Sequence, residues 1–148
     1  MSKVTLTEVN GWKVLFHPLI IDQMQKLKVA QTGVPPTNAN AKLYTAISRL
    51  IYEIIPNNPG GPEFRQGKTL SSAYKHWLRA KFFGRFRLFF RYDSRSKTIV
   101  YVWVNDENTL RQSGAKTDAY AVFKGMLNSG NPPDTFAKLM SQSKPMPK

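Results

Sequence analysis

The segment Arg85–Tyr92 (RFRLFFRY) alternates basic and apolar residues, a period-two pattern that specifies a β-strand with two unlike faces. Arg85, Arg87, Phe89 and Arg91 fall on one face, and Phe86, Leu88, Phe90 and Tyr92 on the other. Trp77–Phe82 (WLRAKF) alternates in the same way, and Thr98–Val104 (TIVYVWV) has the β-branched and aromatic content of a central strand. Asp93–Lys97 reads as the polar connection between the last two strands. Burial fixes the register of the first hairpin. A loop of Phe83-Gly84 alone would set Phe82 against Arg85 and mix apolar with basic on both faces. A loop of Phe83-Gly84-Arg85 sets Phe82 against Phe86 and Lys81 against Arg87. Leu78, Ala80, Phe82, Phe86, Leu88 and Phe90 then share one face, while Arg79, Lys81, Arg87 and Arg91 share the other, and a one-residue slip would undo this.

Outside this region the chain predicts a strand at Trp12–Phe16 and a helix opened by Pro18, with an apolar stripe of Leu19, Ile20, Met24 and Leu27. Gln31–Asn40 is a loop. Leu43, Ile47, Leu50, Ile51 and Ile54 carry the clearest helical period, with Asn40 as cap and Pro56 as stop. Asn57–Pro62 (NNPGGP) forms turns, and Glu63–Lys75 is a polar connection. After the strands, Thr117 caps a helix with Asp118 in its first turn and Ala119, Val122, Phe123, Met126 and Leu127 buried. Gly130 and Pro132-Pro133 end it, and Phe136–Met140 adds a last turn. The order β, α, α, β, β, β, α is that of an α+β domain with helices on one face of an antiparallel sheet. A single domain over residues 1–140 with a flexible tail at 141–148 is expected from the length of 148 residues.

Composition narrows the chemistry. The chain has no cysteine, which excludes disulfides, thiolate metal sites and cysteine nucleophiles. Its two histidines, His17 and His76, read as isolated surface or hydrogen-bonded residues, and no carboxylate cluster accompanies them to hold a metal. No apolar run reaches the ~20 residues of a membrane span. The start, MSKVTLTEV, lacks the apolar core of a secretory signal, so a soluble cytoplasmic protein is expected. The net charge is +13, and the stretch Arg65–Lys97 holds ten basic residues against the single acid Asp93. A field so concentrated calls for a polyanion.

The strand face supplies the candidate site. Lys81 opposite Arg87 costs stability, which a ligand carrying counter-charge would recover. Phosphate suits arginine forks, and Trp77, Phe89, Tyr101 and Trp103 offer aromatic surface for bases of single-stranded RNA. RNA brings its own nucleophile, the 2′-hydroxyl, so cationic side chains that stabilise a phosphorane suffice for much of the chemistry. The segment NDENTLR (105–111) is the second candidate: Asp106 or Glu107 could act as base or cap a turn, and Arg111 could clamp phosphate or pair with an acid. Gly67-Lys68-Thr69 lacks the preceding glycine of a phosphate-binding loop and is rejected.

Residues 84–127 (GRFRLFFRYDSRSKTIVYVWVNDENTLRQSGAKTDAYAVFKGML) resemble the C-terminal half of YhaV-type toxins. VNGW (9–12) with HP (17–18), NP and P-x-FR-x-GK (58–68), W-x-R-x-KF (77–82) and GNPP (130–133) follow in the family's order. The similarity is weakest over 19–57. The resemblance implies a RelE-like fold, a small antiparallel sheet with an N-terminal helical hairpin and a C-terminal helix. It further implies an mRNA endoribonuclease linked to translation on the ribosome, neutralised by a PrlF-type antitoxin, with operator DNA bound through that complex. Metal-free attack by the 2′-hydroxyl would leave a 2′,3′-cyclic phosphate, with no cofactor. Carried over residue by residue, W-x-R-x-K places Arg79 and Lys81 at the scissile phosphate, and G-x-[FY]-R-L makes Arg87 the transition-state arginine. Arg85, Arg91, Arg111, Lys75 and His76 are the expected further RNA contacts. NDENTLR departs from the basic segment and tyrosine of RelE, which leaves Glu107, Lys81 or His76 open as proton-transfer groups. A non-catalytic RNA-binding protein, or a co-repressor acting with its antitoxin, is the rival reading.

Overall fold

A computed structural model describes residues 7–147 of the chain. The N-terminal stretch read for a secretory signal lies mostly outside these residues. Asn10-Gly11, both at positive φ (52° and 83°), makes the tight turn that pairs β1 (Glu8–Val9) with β2 (Trp12–Phe16). Pro18 opens α1 (Pro18–Gln31), and His17 caps it by accepting the Leu19 N–H at Nδ1. Next come α2 (Ala39–Arg49), β3 (Leu78–Phe82), β4 (Phe86–Asp93), β5 (Thr98–Val104), α3 (Ala119–Ser129) and α4 (Phe136–Gln142).

The sheet order is β1-β2-β5-β4-β3. Leu78↔Phe90, Ala80↔Leu88, Lys81↔Arg87 and Phe82↔Phe86 pair antiparallel, the register that burial demanded. β2 runs parallel to β5, with Leu15 beside Val100, so this α+β sheet is mixed rather than wholly antiparallel. Helices also cover both faces, not one. On one side, α1, α2 and the turn that follows α2 bury Ile20, Met24, Ile47 and Ile51 against Phe16, Leu88, Phe90 and Tyr101. On the other, Phe123, Leu127 and Leu139 from α3 and α4 pack on Trp77, Phe89, Val100 and Trp103. The cause lies in β5, whose residues are all buried, because a strand apolar on both faces needs both covered. Trp77, Phe89, Tyr101 and Trp103 therefore belong to the core and are not a free stacking surface.

Local boundaries move for identifiable reasons. Asn38, not Asn40, caps α2, accepting the Asn40 N–H at 2.8 Å, and Asp118, not Thr117, caps α3. Pro56 does not stop the helical path. The backbone widens into a π-turn at Leu50–Ile54 and then tightens into a 3-10 turn at Ile55–Asn57 whose first positions accept a proline. Residues 141–147 are not a frayed tail. Lys144 exchanges backbone hydrogen bonds with Phe16 at 2.7 and 3.0 Å, and Met146 packs on the α1–α2 core.

Candidate active site

Arg79 on β3 and Arg87 on β4 are diagonal neighbours, since Arg79 faces Phe89 and Lys81 faces Arg87. Both side chains leave the sheet toward α3, where the first turn presents Tyr120. The Tyr120 hydroxyl accepts from Arg79 Nε at 2.8 Å and from Arg87 Nε at 3.1 Å. Arg79 also donates through Nη1 to the Glu63 carbonyl (2.8 Å), and Arg87 to the Gly84 and Phe86 carbonyls (2.9 Å each). A hydroxyl offers two acceptor lone pairs, so both are engaged and its own proton is left to point elsewhere.

Arg79 and Arg87, 8 % and 6 % exposed as whole residues, have guanidiniums held by neutral oxygens alone. Among the described residues neither has a carboxylate within ion-pair distance. Their Nη2 atoms make no hydrogen bond with the described residues. Since no unpartnered side-chain nitrogen is buried, these ends meet solvent. Confining two cations without counter-charge is costly in a protein, and the cost falls when an anion arrives. Phosphate oxygens match the free fork ends. Lys81 completes the set, exposed on the strand beside Arg79 and directly across from Arg87.

Asn105 locks the geometry from below. Its buried amide accepts the Arg87 N–H at 2.6 Å and donates to the Arg85 and Thr109 carbonyls. Asp106 caps the following turn, accepting the Asn108 N–H (2.9 Å) and the Thr109 hydroxyl (3.0 Å). Glu107 is exposed and is not brought to the Tyr120 cluster; it lines a groove on the α1–α2 side of the sheet. Arg111 pairs with Asp118 at 2.9 Å and lies over the Tyr120 ring, its carbon centre 4.7 Å from the centroid. Its charge is therefore already met within the protein. Arg85, exposed in the hairpin loop, donates Nε to the Arg111 carbonyl at 3.1 Å.

The remaining expected contacts gather at the other end of β3. Arg91 is sandwiched between the Trp77 and Phe136 rings and donates to the Asp134 carbonyl; burial pulls its pKa below the ordinary value. The Asp134 carboxylate contacts His76 Nε2 (2.6 Å) and accepts from Trp77 Nε1 (2.8 Å), with Lys75 exposed alongside. His17 is buried as the α1 cap, hydrogen-bonded to Gln142. Among the described residues no three histidine or carboxylate groups come together as cation ligands, and no helix is long and apolar enough to cross a membrane.

The sequence reading overlooked Tyr120. The signal was present, because Tyr120, Phe123 and Leu127 follow the i, i+3, i+7 spacing of the buried α3 face. The carbonyl of Glu63, supplied by an irregular connection, carried no signal at all.

Fold and site define a basic α+β protein in which two buried arginines share one tyrosine hydroxyl. The chain belongs to the YhaV toxin family, whose model, described as a toxin with endonuclease activity, of toxin-antitoxin system, matches residues 14–144. It is 44% identical over 144 residues to Toxin YhaV of Escherichia coli O6:H1 (strain CFT073), covering 91% of this chain and 94% of that protein. It is 43% identical over 148 residues to Ribonuclease toxin YhaV of Escherichia coli strain K12, with the same coverage. No solved structure matches the chain.

Proposed function

We propose that this toxin is an endoribonuclease that grips the scissile phosphate with Arg79, Lys81 and Arg87. The observation that carries the reading is the shared Tyr120 hydroxyl, which fixes two guanidiniums side by side without any carboxylate to neutralise them. Such preorganised charge is worth most where negative charge grows, on the oxygens of a pentacoordinate phosphorus. The 2′-oxygen attacks in line, its proton passes to a base, the P–O5′ bond breaks, and the 5′-oxygen takes a proton. The products are a 2′,3′-cyclic phosphate and a free 5′-hydroxyl, and the sequence calls on no metal. The substrate is mRNA presented during translation, and a PrlF-type antitoxin neutralises the enzyme, the complex also binding operator DNA. The geometry supports Lys81 for proton transfer better than Glu107 or His76, because it alone of the three shares the strand face of the arginines beside Arg87.

Incubating purified protein with RNA in the presence of a chelator, and mapping both new ends, tests this. Cleavage leaving cyclic phosphate is expected from wild type, and about 10²-fold less from Lys81→Ala or Arg79→Ala. Lys81 is exposed, so its variant keeps the fold even if loss of buried Arg79 does not. RNA binding without cleavage by wild type, with or without ribosomes, would replace the enzyme by the non-catalytic RNA-binding reading.

A further inference from the structure

Phe83 occupies the tip of the β3–β4 hairpin at φ 47°, followed by Gly84 at 74°. Asn or Gly would hold this left-handed turn without the steric cost that a large side chain meets there. Phe83 is nevertheless 57 % exposed. Its ring continues a ladder of aromatics, 5.7 Å from Phe82, which stacks on Phe86 at 5.4 Å. Neither the turn nor the core explains an exposed, strained aromatic at this place, and such residues concentrate at ligand sites.

The ring borders a groove of about 550 Å³ between the hairpin and the α1–α2 pair, a volume typical of small-molecule sites. Leu43, Ile47 and Phe86 form its apolar wall, Lys26 and Lys42 lie on its rim, and Glu107 stands at the β5 end. The Glu107 carboxylate makes no ion pair or hydrogen bond with the described residues, although the chain carries 22 cationic residues. Asn105 lines the same groove while its side chain holds the backbone N–H of Arg87 at 2.6 Å, so the groove lies across the β4 backbone from the arginine cluster, at the same end of the sheet.

We infer that this groove is a base-reading subsite of the RNA-cleaving centre: an unpaired nucleobase flanking the cut stacks on Phe83 and donates its N–H edge to Glu107. The inference rests on the endoribonuclease reading, and it assigns the site's sequence preference. An exposed aromatic face accepts any base by stacking. A carboxylate selects among them, because it accepts only. Guanine presents N1–H and an exocyclic amino group side by side, matching both carboxylate oxygens, whereas uracil offers a single ring N–H between two carbonyls. Guanine is therefore the base that the groove selects.

Fluorescence anisotropy with 2′-O-methyl heptamers of sequence UUUGUUU and UUUUUUU reads binding alone, since the methyl group blocks the attacking oxygen. Wild type is expected to bind the guanine-containing oligomer about tenfold more tightly, within the range for hydrogen bonding to a charged group. Glu107→Gln should bring the two oligomers to within about threefold, and Phe83→Ala should weaken UUUGUUU about tenfold while Phe83→Tyr restores it. Both positions are exposed, so the variants fold. Equal binding of the two oligomers by wild type, or a guanine preference that survives Glu107→Gln, overturns the subsite. So does unchanged RNA affinity of Phe83→Ala alongside lost capture of the antitoxin, which would make the groove a protein-docking surface. Wild type that prefers guanine but cuts no unmodified RNA would instead sink the nuclease reading alone.

Discussion

Lys81 and Arg87 face each other across the β3–β4 ladder, yet only Arg87 is buried. Arg87 bends under Tyr120 and spends its hydrogen bonds on protein oxygens, whereas Lys81 stays in solvent. The pair thus combines a held cation with a solvent-exposed one. A held cation stabilises charge without reorganising, and an exposed one is open to an incoming substrate.

Lys81→Ala separates function from stability. Removing one of two like charges directly opposite each other should leave the fold unchanged or raise its stability by about 0.5 kcal/mol. RNA cleavage should fall by about 10²-fold, the scale of losing one donor to a developing oxyanion. Thermal melting beside single-turnover cleavage checks both, and a parallel loss of stability and activity would contradict the assignment.

Tyr120→Phe removes only an oxygen. The ring keeps its edge contact with Phe89 at 5.7 Å, but the Nε–H groups of Arg79 and Arg87 lose their shared acceptor. Unsatisfied donors on charged groups cost about 1–3 kcal/mol, so the urea midpoint should drop without a change in slope. Because the two arginines are then no longer held together, kcat should fall more than KM rises. A variant with wild-type kcat would show that Tyr120 plays no part in positioning them.

How much of this was legible follows from which forces were local. The β3–β4 register and the shared face of Arg79, Lys81 and Arg87 were readable because alternation and burial act within a few residues. The turn at Asn10-Gly11 carries the strongest hairpin dipeptide, but the strand before it is only two residues long and leaves no alternation to read. Cover on the second face is written in IVYVWV (99–104), aliphatic or aromatic on both alternating faces, although the pattern by itself says only central strand. The parallel β2–β5 pairing and the Lys144–Phe16 bridge join residues far apart in the chain, where no local pattern speaks. Arg111 and Asp118 are only seven residues apart, but the loop between them carries no period that would set one side chain against the other.

Asp118 has three duties, capping α3 at the Tyr120 N–H (3.1 Å), accepting the Gln112 N–H (2.7 Å) and neutralising Arg111. Asp118→Ala loses all three and should cost about 2 kcal/mol or more, the upper range for a cap. Asp118→Asn keeps an acceptor for the cap and should cost less. It also releases a cation beside Tyr120, so RNA affinity should rise at low salt. The slope of log affinity against log salt should steepen by about 0.7, one added contact to a single strand. An unchanged slope would mean that Arg111 does not reach the bound strand.

His17 makes stability depend on acid. Burial pulls its pKa below the ordinary value of 6.5, against a smaller upward pull from its hydrogen bond to Gln142. The neutral ring accepts the Leu19 N–H at Nδ1, which a protonated ring cannot do. The folded state therefore binds the proton less readily than the unfolded chain. Stability from this group is complete above about pH 6.5 and is lost as pH falls from there through the lower folded-state value. His17→Asn supplies an acceptor that does not titrate and suits the cap position. Melting temperatures measured from pH 8 to pH 5 should decline for wild type across this window and decline less for His17→Asn. Parallel curves for the two proteins would place the acid sensitivity elsewhere.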